Sequence, residues 1–417
     1  MQPLQSPLDA YRSDLSRNPG RSDFGSSDTV WLLVAHCLHR LTRVPTLARP
    51  AIASHCASAL GDLASSVEEG AEDNQLTRTL CELQVALEGF EHPDQVDTLC
   101  QVVRGLTNRM SNGGALSLAY ATIGHLRSAA VHASARETGL NLAEQARIAR
   151  FLGDLDGSEE LYGLAAEVGS AADEAEVVVR ASLGRGVIAR VRGNYPRARE
   201  LFQLGLADAK EAGLEELAGL AHQGLLIAAA VAGDIDTALV HGWAALQHAE
   251  GNEEKQMEML INLAQLARDA GYPAAALRGF LSALTRTTIP RLRLSAVGGA
   301  LVAAAEVGER ALVERLRLIA ERDASRSLLP YESAQATRAI SVALRTIGDV
   351  AGAETYRLRA RTLAKKGGFF ELVVATEPVA EAAPARRPRQ LQASSAYVID
   401  SLEHMPADEA ELVGATR

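Results

Sequence analysis

The stretch "RGNYPRARELFQLGLADA" (residues 192–209) sets a Gly-Asn pair at the head of an apolar, alanine-bearing segment, and a second such segment ending in Ala189-Arg190 precedes the pair. Read outward from Gly193, the arrangement returns as Gly153-Asp154, Gly233-Asp234, Gly271-Tyr272, Gly308-Glu309 and Gly348-Asp349. The successive spacings are 40, 40, 38, 37 and 40 residues, so the turn is one tooth of a repeat. Four residues before each glycine stand Ala149, Ala189, Ala229, Ala267, Ala304 and Leu344; twelve after it stand Ala165, Gly205, Ala245, Ala283, Ala320 and Ala360. Small residues at matched places let helices approach closely.

Each period reads as a helical hairpin, with the glycine as the left-handed stop of its first helix. Nine residues after the glycine an aromatic (Tyr162, Phe202, Phe280) is placed to fill the space between helices, while Gly242, Arg317 and Arg357 hold that position in the other units. No single hairpin buries its apolar face, so neighbours must stack along one direction.

These small-residue positions, the Gly-Asp/Asn turn, the alanine five residues later (Ala198, Ala238, Ala276, Ala353) and the following aromatic resemble the tetratricopeptide-repeat family. The resemblance covers residues 139 to about 368. The period exceeds the family's ~34 residues, the closing proline is absent, and Ser158 and Val313 replace the alanine. The longer-period helical repeats of bacterial signalling and transcription-regulator proteins are the nearer likeness. The resemblance implies an all-α right-handed superhelix, an α-solenoid of helical hairpins, whose first helices line a concave groove that meets peptide ligands.

Three residues before the glycines stand Arg150, Arg190, Ala230, Arg268, Ala305 and Arg345. With Arg147, Asn262, Gln265 and Arg338 on the same helices, they form a candidate groove of guanidinium forks and amides suited to carboxylates and peptide backbone. The expected partner is a protein or peptide, with acidic character favoured. The other reading has these arginines pairing with Glu144, Glu258, Asp269 and Glu306, or following from an arginine-rich composition. Only four of the 42 basic residues are lysine (Lys210, Lys255, Lys365, Lys366).

The 417 residues carry a formal charge of −10 with no long basic block, which argues against nucleic acid as a direct partner. Neither the start "MQPLQSPLDAYRSDLSRNPG" nor the longest apolar run, "GLLIAAAVAG", has the form of a leader or a membrane span, and the chain reads as cytoplasmic. No phosphate loop, dinucleotide fingerprint, nucleophile elbow or kinase motif is present. The expectation is a non-enzymatic binding scaffold without a cofactor. A ligand-responsive regulator in bacterial signalling or transcription control is the alternative, and a metal-dependent enzyme using the N-terminal Cys/His residues the third. All four cysteines (Cys37, Cys56, Cys81, Cys100) fall in the first quarter, with His36, His39 and His55 adjoining two of them. They lack zinc-site spacing and read as buried small hydrophobes, so no metal is expected.

Four domain-scale segments follow. Residues 1–27, rich in Ser, Pro, Gly and Arg, predict a disordered arm. Residues 28–138 predict degenerate helical hairpins, paired across Pro45 and across the loop "EHPD", with Cys81 and Cys100 as counterparts of Cys37 and Cys56. Residues 139–368 hold the six repeats. Residues 369–417 comprise a short extended or capping segment, "FFELVVAT", a Pro/Ala linker, and a tail. Ser394 or Ser395 caps a short tail helix with Val398, Leu402 and Met405 on one face, positioned to dock on the groove as an internal mimic of an acidic partner.

Overall fold

The computed structural model describes residues 6–17, 26–43, 49–66, 71–88, 92–112, 115–327, 329–377 and 388–406. Among the described residues every regular element is an α-helix and there is no strand. None of these helices is long and apolar enough to cross a membrane. The chain divides into two compact units, residues 1–214 and 215–417. That division falls between the second and third repeats, whereas the sequence pattern changes near residue 138.

Unit 1 begins with α1 (Pro7–Arg17), α2 (Ser26–Arg43), α3 (Arg49–Ser66), α4 (Ala71–Glu88), α5 (Pro93–Asn112) and α6 (Leu116–Ala129). The hairpins α7 (Ala135–Phe151)/α8 (Leu155–Ala171) and α9 (Ala175–Val191)/α10 (Tyr195–Glu211) follow. Unit 2 holds four more: α11 (Glu215–Val231)/α12 (Ile235–His248), α13 (Glu253–Asp269)/α14 (Pro273–Arg286), α15 (Pro290–Val307)/α16 (Arg310–Arg326) and α17 (Pro330–Thr346)/α18 (Val350–Gly367). It ends with α19 (Phe370–Ala375) and α20 (Ala393–Glu403). The spacings of 38 and 37 arise because α12 and α14 are 14 residues long where α8, α10 and α16 have 17.

The two-residue turn both ends a helix and starts the next. All six repeat glycines have positive φ, from 76° to 92°. In each turn the N–H after the glycine donates to the carbonyl four residues before it, as in Asp154 to Ala149 (3.0 Å) and Asn194 to Ala189 (2.8 Å). This satisfies a carbonyl the helix end leaves open. The side chains of Asp154, Asn194, Asp234 and Asp349 then accept the N–H three residues on, capping the second helix. Between α8 and α9 the left-handed position falls on Asp173 (φ 59°).

Every one of the twelve matched small or leucine positions is buried. The aromatics rest on glycines that the repeat pattern alone does not single out. A Cβ at Gly186 would stand 2.8 Å from Phe202, and one at Gly299 would stand 2.6 Å from Phe280 Cδ1. Gly184 lies against the Tyr162 ring in the same way. Where Gly242 replaces the aromatic, Leu226 and Leu263 fill the gap. Arg317 and Arg357 are polar substitutes: Arg317 binds Glu314 and Glu321 at 2.9 and 2.8 Å, and Arg357 bonds Glu354 and the Thr376 carbonyl. Ser158, standing where other units have alanine, returns its hydroxyl to the Ala146 carbonyl at 2.7 Å.

Several expectations are corrected. Pro7–Arg17, expected in a disordered arm, is α1; Tyr11 is buried, and Asp14 accepts the N–H groups of Ser117 and Leu118 at the open end of α6. The early hairpins pair differently: α3 packs mainly with α4, and α2 lies against α6. Cys81 is exposed while Cys37, Cys56 and Cys100 are buried, so the cysteines are not equivalent pairs. "FFELVVAT" forms the helix α19, packed on α18, in place of an extended segment. Gln392, rather than Ser394 or Ser395, is the N-cap of α20. Most of the Pro/Ala linker, residues 378–387, lies outside the described residues.

Candidate functional site

The arginines three residues before the turn glycines lie in the last turns of α7, α9, α13 and α17. A cation there complements the negative end of the helix dipole, which is reason enough for the residue type. Partnership decides whether more is involved, and it differs from one arginine to the next.

In unit 1, Arg147 is held within its own helix by Glu144 (2.7 Å) and reaches Asn108 of α5. Burial opposes its charge most strongly, but the hydrogen bond and charge of Glu144, with Tyr162, together outweigh this and raise its pKa. Arg150 differs. Burial lowers its pKa, Arg147 and Arg190 lower it further, and the Tyr162 hydroxyl gives partial compensation. Its guanidinium carbon lies 4.4 Å from the centre of the Phe151 ring, and its Nε is buried with no hydrogen-bond partner. Among the described residues neither Arg150 nor Arg190 has a carboxylate within ion-pair distance.

In unit 2, Arg268 of α13 and Arg338 of α17 lie within electrostatic reach of each other although 70 residues apart in sequence. Burial lowers the pKa of Arg338 and the Arg268 charge lowers it further. The helix α15, on which both α13 and α17 pack, carries Gly298, Val302 and Ala305 along one face. Both Nε atoms are buried without a hydrogen-bond partner. The nearest carboxylate is Asp269, 3.7 Å from Arg268 and itself accepting from Gln265 at 3.0 Å. Asn262 is half-buried on the same helix, and the Arg345 charge contributes to holding Glu354 below the usual carboxylate range, after the direct bond from Arg357.

A polar ladder missed in the sequence runs from α5 to α9. Glu137, only 1% exposed, accepts from Arg104 (2.7 Å), Arg136 (2.8 Å) and Gln101 (3.2 Å). Arg104 also reaches Asn141, and Arg136 reaches Glu176. The signal was available: these partners recur 33–40 residues apart, close to the repeat spacing. A recess of about 130 Å³ beside Arg185, Arg192 and Arg197 has its charges already matched by Glu159, Asp156 and Glu200.

The Cys/His-rich quarter does not converge. Cys37 and Cys56 hydrogen-bond each other, which with burial pushes the Cys37 thiol well above its usual range. His39 Nδ1 meets His125 Nε2 at 3.2 Å, while His36 is exposed. Among the described residues no group of three or more His, Cys, Asp or Glu is arranged to hold a metal ion.

The fold is that of a tetratricopeptide-like helical-repeat protein. Among solved structures, a Signal Transduction ATPase with Numerous Domains from Pyrococcus horikoshii, bearing a tetratricopeptide repeat sensor, superposes with a TM-score of 0.54 at 12% identity over 79% of this chain. The match spans 55% of that chain. RapI in its apo form gives 0.49 at 15% identity, over 80% of this chain and 99% of that one. A Rap protein complexed with Competence and Sporulation Factor gives 0.48 at 10% identity, over 81% and 98%. No family model and no curated protein sequence matches the chain.

Proposed function

We propose that this chain is a non-enzymatic, cytoplasmic protein-binding scaffold that recognises a carboxylate-bearing peptide through arginines of its first-in-hairpin helices. The observation that carries this reading is the Arg268–Arg338 pair: two like charges within electrostatic reach of each other, each with a buried Nε that has no hydrogen-bond partner, and with one carboxylate, Asp269, 3.7 Å from Arg268. Such a pair is costly until an anion fills the gap, and a guanidinium fork is matched to a carboxylate. Arg150 and Arg190 form a second, separate set in unit 1, whereas the Arg147 geometry supports internal pairing.

A ligand-responsive regulator is the second reading. Its support is the likeness of fold to a chain whose tetratricopeptide repeats are named as a sensor. The test uses a fluorescein-labelled array of peptides in matched Glu and Gln versions, read by fluorescence anisotropy at two salt concentrations. Full-length protein is expected to prefer Glu peptides, with binding weakened by salt. The Arg268→Gln/Arg338→Gln variant is expected to lose that preference at least about tenfold, the equivalent of about 1.4 kcal/mol. A variant that keeps the preference refutes the assignment.

A further inference from the structure

The tail helix α20 lies on α12 and α14, the second helices of two consecutive hairpins, and not on the arginine-bearing helices where the tail was expected to dock. Val398, Ile399 and Leu402 are buried in the same core as those two helices. Gly279 of α14 leaves a slot for Leu402, whose Cδ2 stands 3.4 Å from where a Cβ would be. Tyr397 meets Trp243 edge-on with ring centres 6.0 Å apart.

Both ends of α20 are completed by the surface beneath it. The helix has no capping side chain, no acid in its first turn and no base in its last. Asp236 of α12 supplies the negative group at its start, accepting the Gln392 N–H at 2.8 Å and the Ser395 hydroxyl. Arg278 of α14 supplies the positive group at its end, donating to the Met405 carbonyl at 3.1 Å. Tyr272 donates to the Arg389 carbonyl at 2.7 Å, and the Arg389 N–H donates to Ala270. The face thus presents an acid at one end, a base at the other and an apolar slot between, matching a helix in a fixed direction. An 11-residue helix is marginal alone in water, so the order of α20 comes from this face.

We propose that the α12–α14 face is a docking site for a partner's amphipathic helix, and that α20 is its tethered resident. The partner it fits carries a small hydroxyl residue in its first turn and aliphatic residues three, four and seven positions later, the pattern of Ser395, Val398, Ile399 and Leu402. The tether gives the resident a high local concentration, so an incoming helix gains access only by exceeding it or when α20 is released. This site is independent of the arginine pairs.

The test keeps the full chain and inserts a protease-recognition sequence within residues 378–387, so that cutting releases the tether while residues 388–406 keep their sequence. The probe is a labelled synthetic peptide of residues 388–406, followed by anisotropy before and after cutting. Cutting is expected to improve peptide binding at least tenfold, with the severed tail leaving as the peptide enters. Asp236→Arg in the cut protein is expected to abolish binding. A severed tail that never exchanges, equal binding before and after cutting, or undiminished binding to Asp236→Arg overturns the proposal. Light scattering that shows dimers joined through α20 overturns it in favour of exchange between copies.

Discussion

Replacing Gly299 by alanine tests the claim that helix spacing is set by glycine under an aromatic. Phe280 is 1% exposed, and a new Cβ at position 299 would meet its ring, with Cδ1 at 2.6 Å. Neither partner has room to retreat: Phe280 sits among buried residues of α14 and α15, and those helices pack closely. Overpacking of this kind costs about 1–3 kcal/mol. Alanine recovers about 0.5–1 kcal/mol of helix propensity, leaving a net loss of about 1 kcal/mol. The adjacent residue is the control, because a Cβ at Gly298 would find its nearest neighbour, Ala339 Cβ, at an ordinary 3.4 Å. Gly298→Ala is therefore expected to gain about 0.5–1 kcal/mol. Urea denaturation followed by circular dichroism should separate the two variants by about 2 kcal/mol, with Gly299→Ala the less stable. Adding Phe280→Leu to Gly299→Ala should cost less than Phe280→Leu alone, the signature of a direct contact. If both alanine variants are stabilised alike, the helices are not held apart by this contact and the packing argument fails.

Three further outcomes follow from unit 1. Asp173→Gly should raise stability by about 1 kcal/mol, because an L-residue at φ 59° bears a left-handed penalty that glycine escapes; a loss in the same denaturation assay would contradict this. Glu137→Ala should cost about 1–3 kcal/mol by removing the acceptor shared by Arg104 and Gln101, Arg136 keeping Glu176, while the exposed pair partner Glu200→Ala should cost under about 1 kcal/mol. Alkaline pH should weaken unit 1, since burial raises the Cys100 thiol to about 11 and the Tyr162 hydroxyl to about 12. The unfolded chain releases these protons first, from about pH 9 for the thiol, so stability falls as pH rises from about 9 to 11. Cys100→Ala should reduce that slope, and an unchanged slope would clear the thiol of any part in it.

The repeat was legible because its joints are written locally: a glycine, a polar cap and a small residue four positions back need no knowledge of distant chain. The first 130 residues lack that joint, so helices were visible there while their partners were not, and α2 found α6 across 72 intervening residues. The shortening of α12 and α14 appeared only as irregular spacing. The arginine row was legible as a pattern, but its meaning was not. Arg147 turns to Glu144 three residues away, whereas the Arg268 charge acts on Arg338 of another helix, and only side-chain placement separates the two cases. The tail helix was readable from its apolar face; its seat on the second helices depends on Asp236 and Arg278, which no local pattern marks.

The two-residue joint also bears on how such a gene changes length. Gly153 and Gly193 are followed by Asp154 and Asn194, which cap their helices in the same way. Recombination between those two codon pairs would remove or duplicate a block of 40 residues while leaving each junction as it was. The new neighbours would meet through small residues already in register, and only the side chains on their faces would need refitting. Where a joint lacks the capping side chain, as at Tyr272 and Glu309, an exchange would alter the start of the second helix as well.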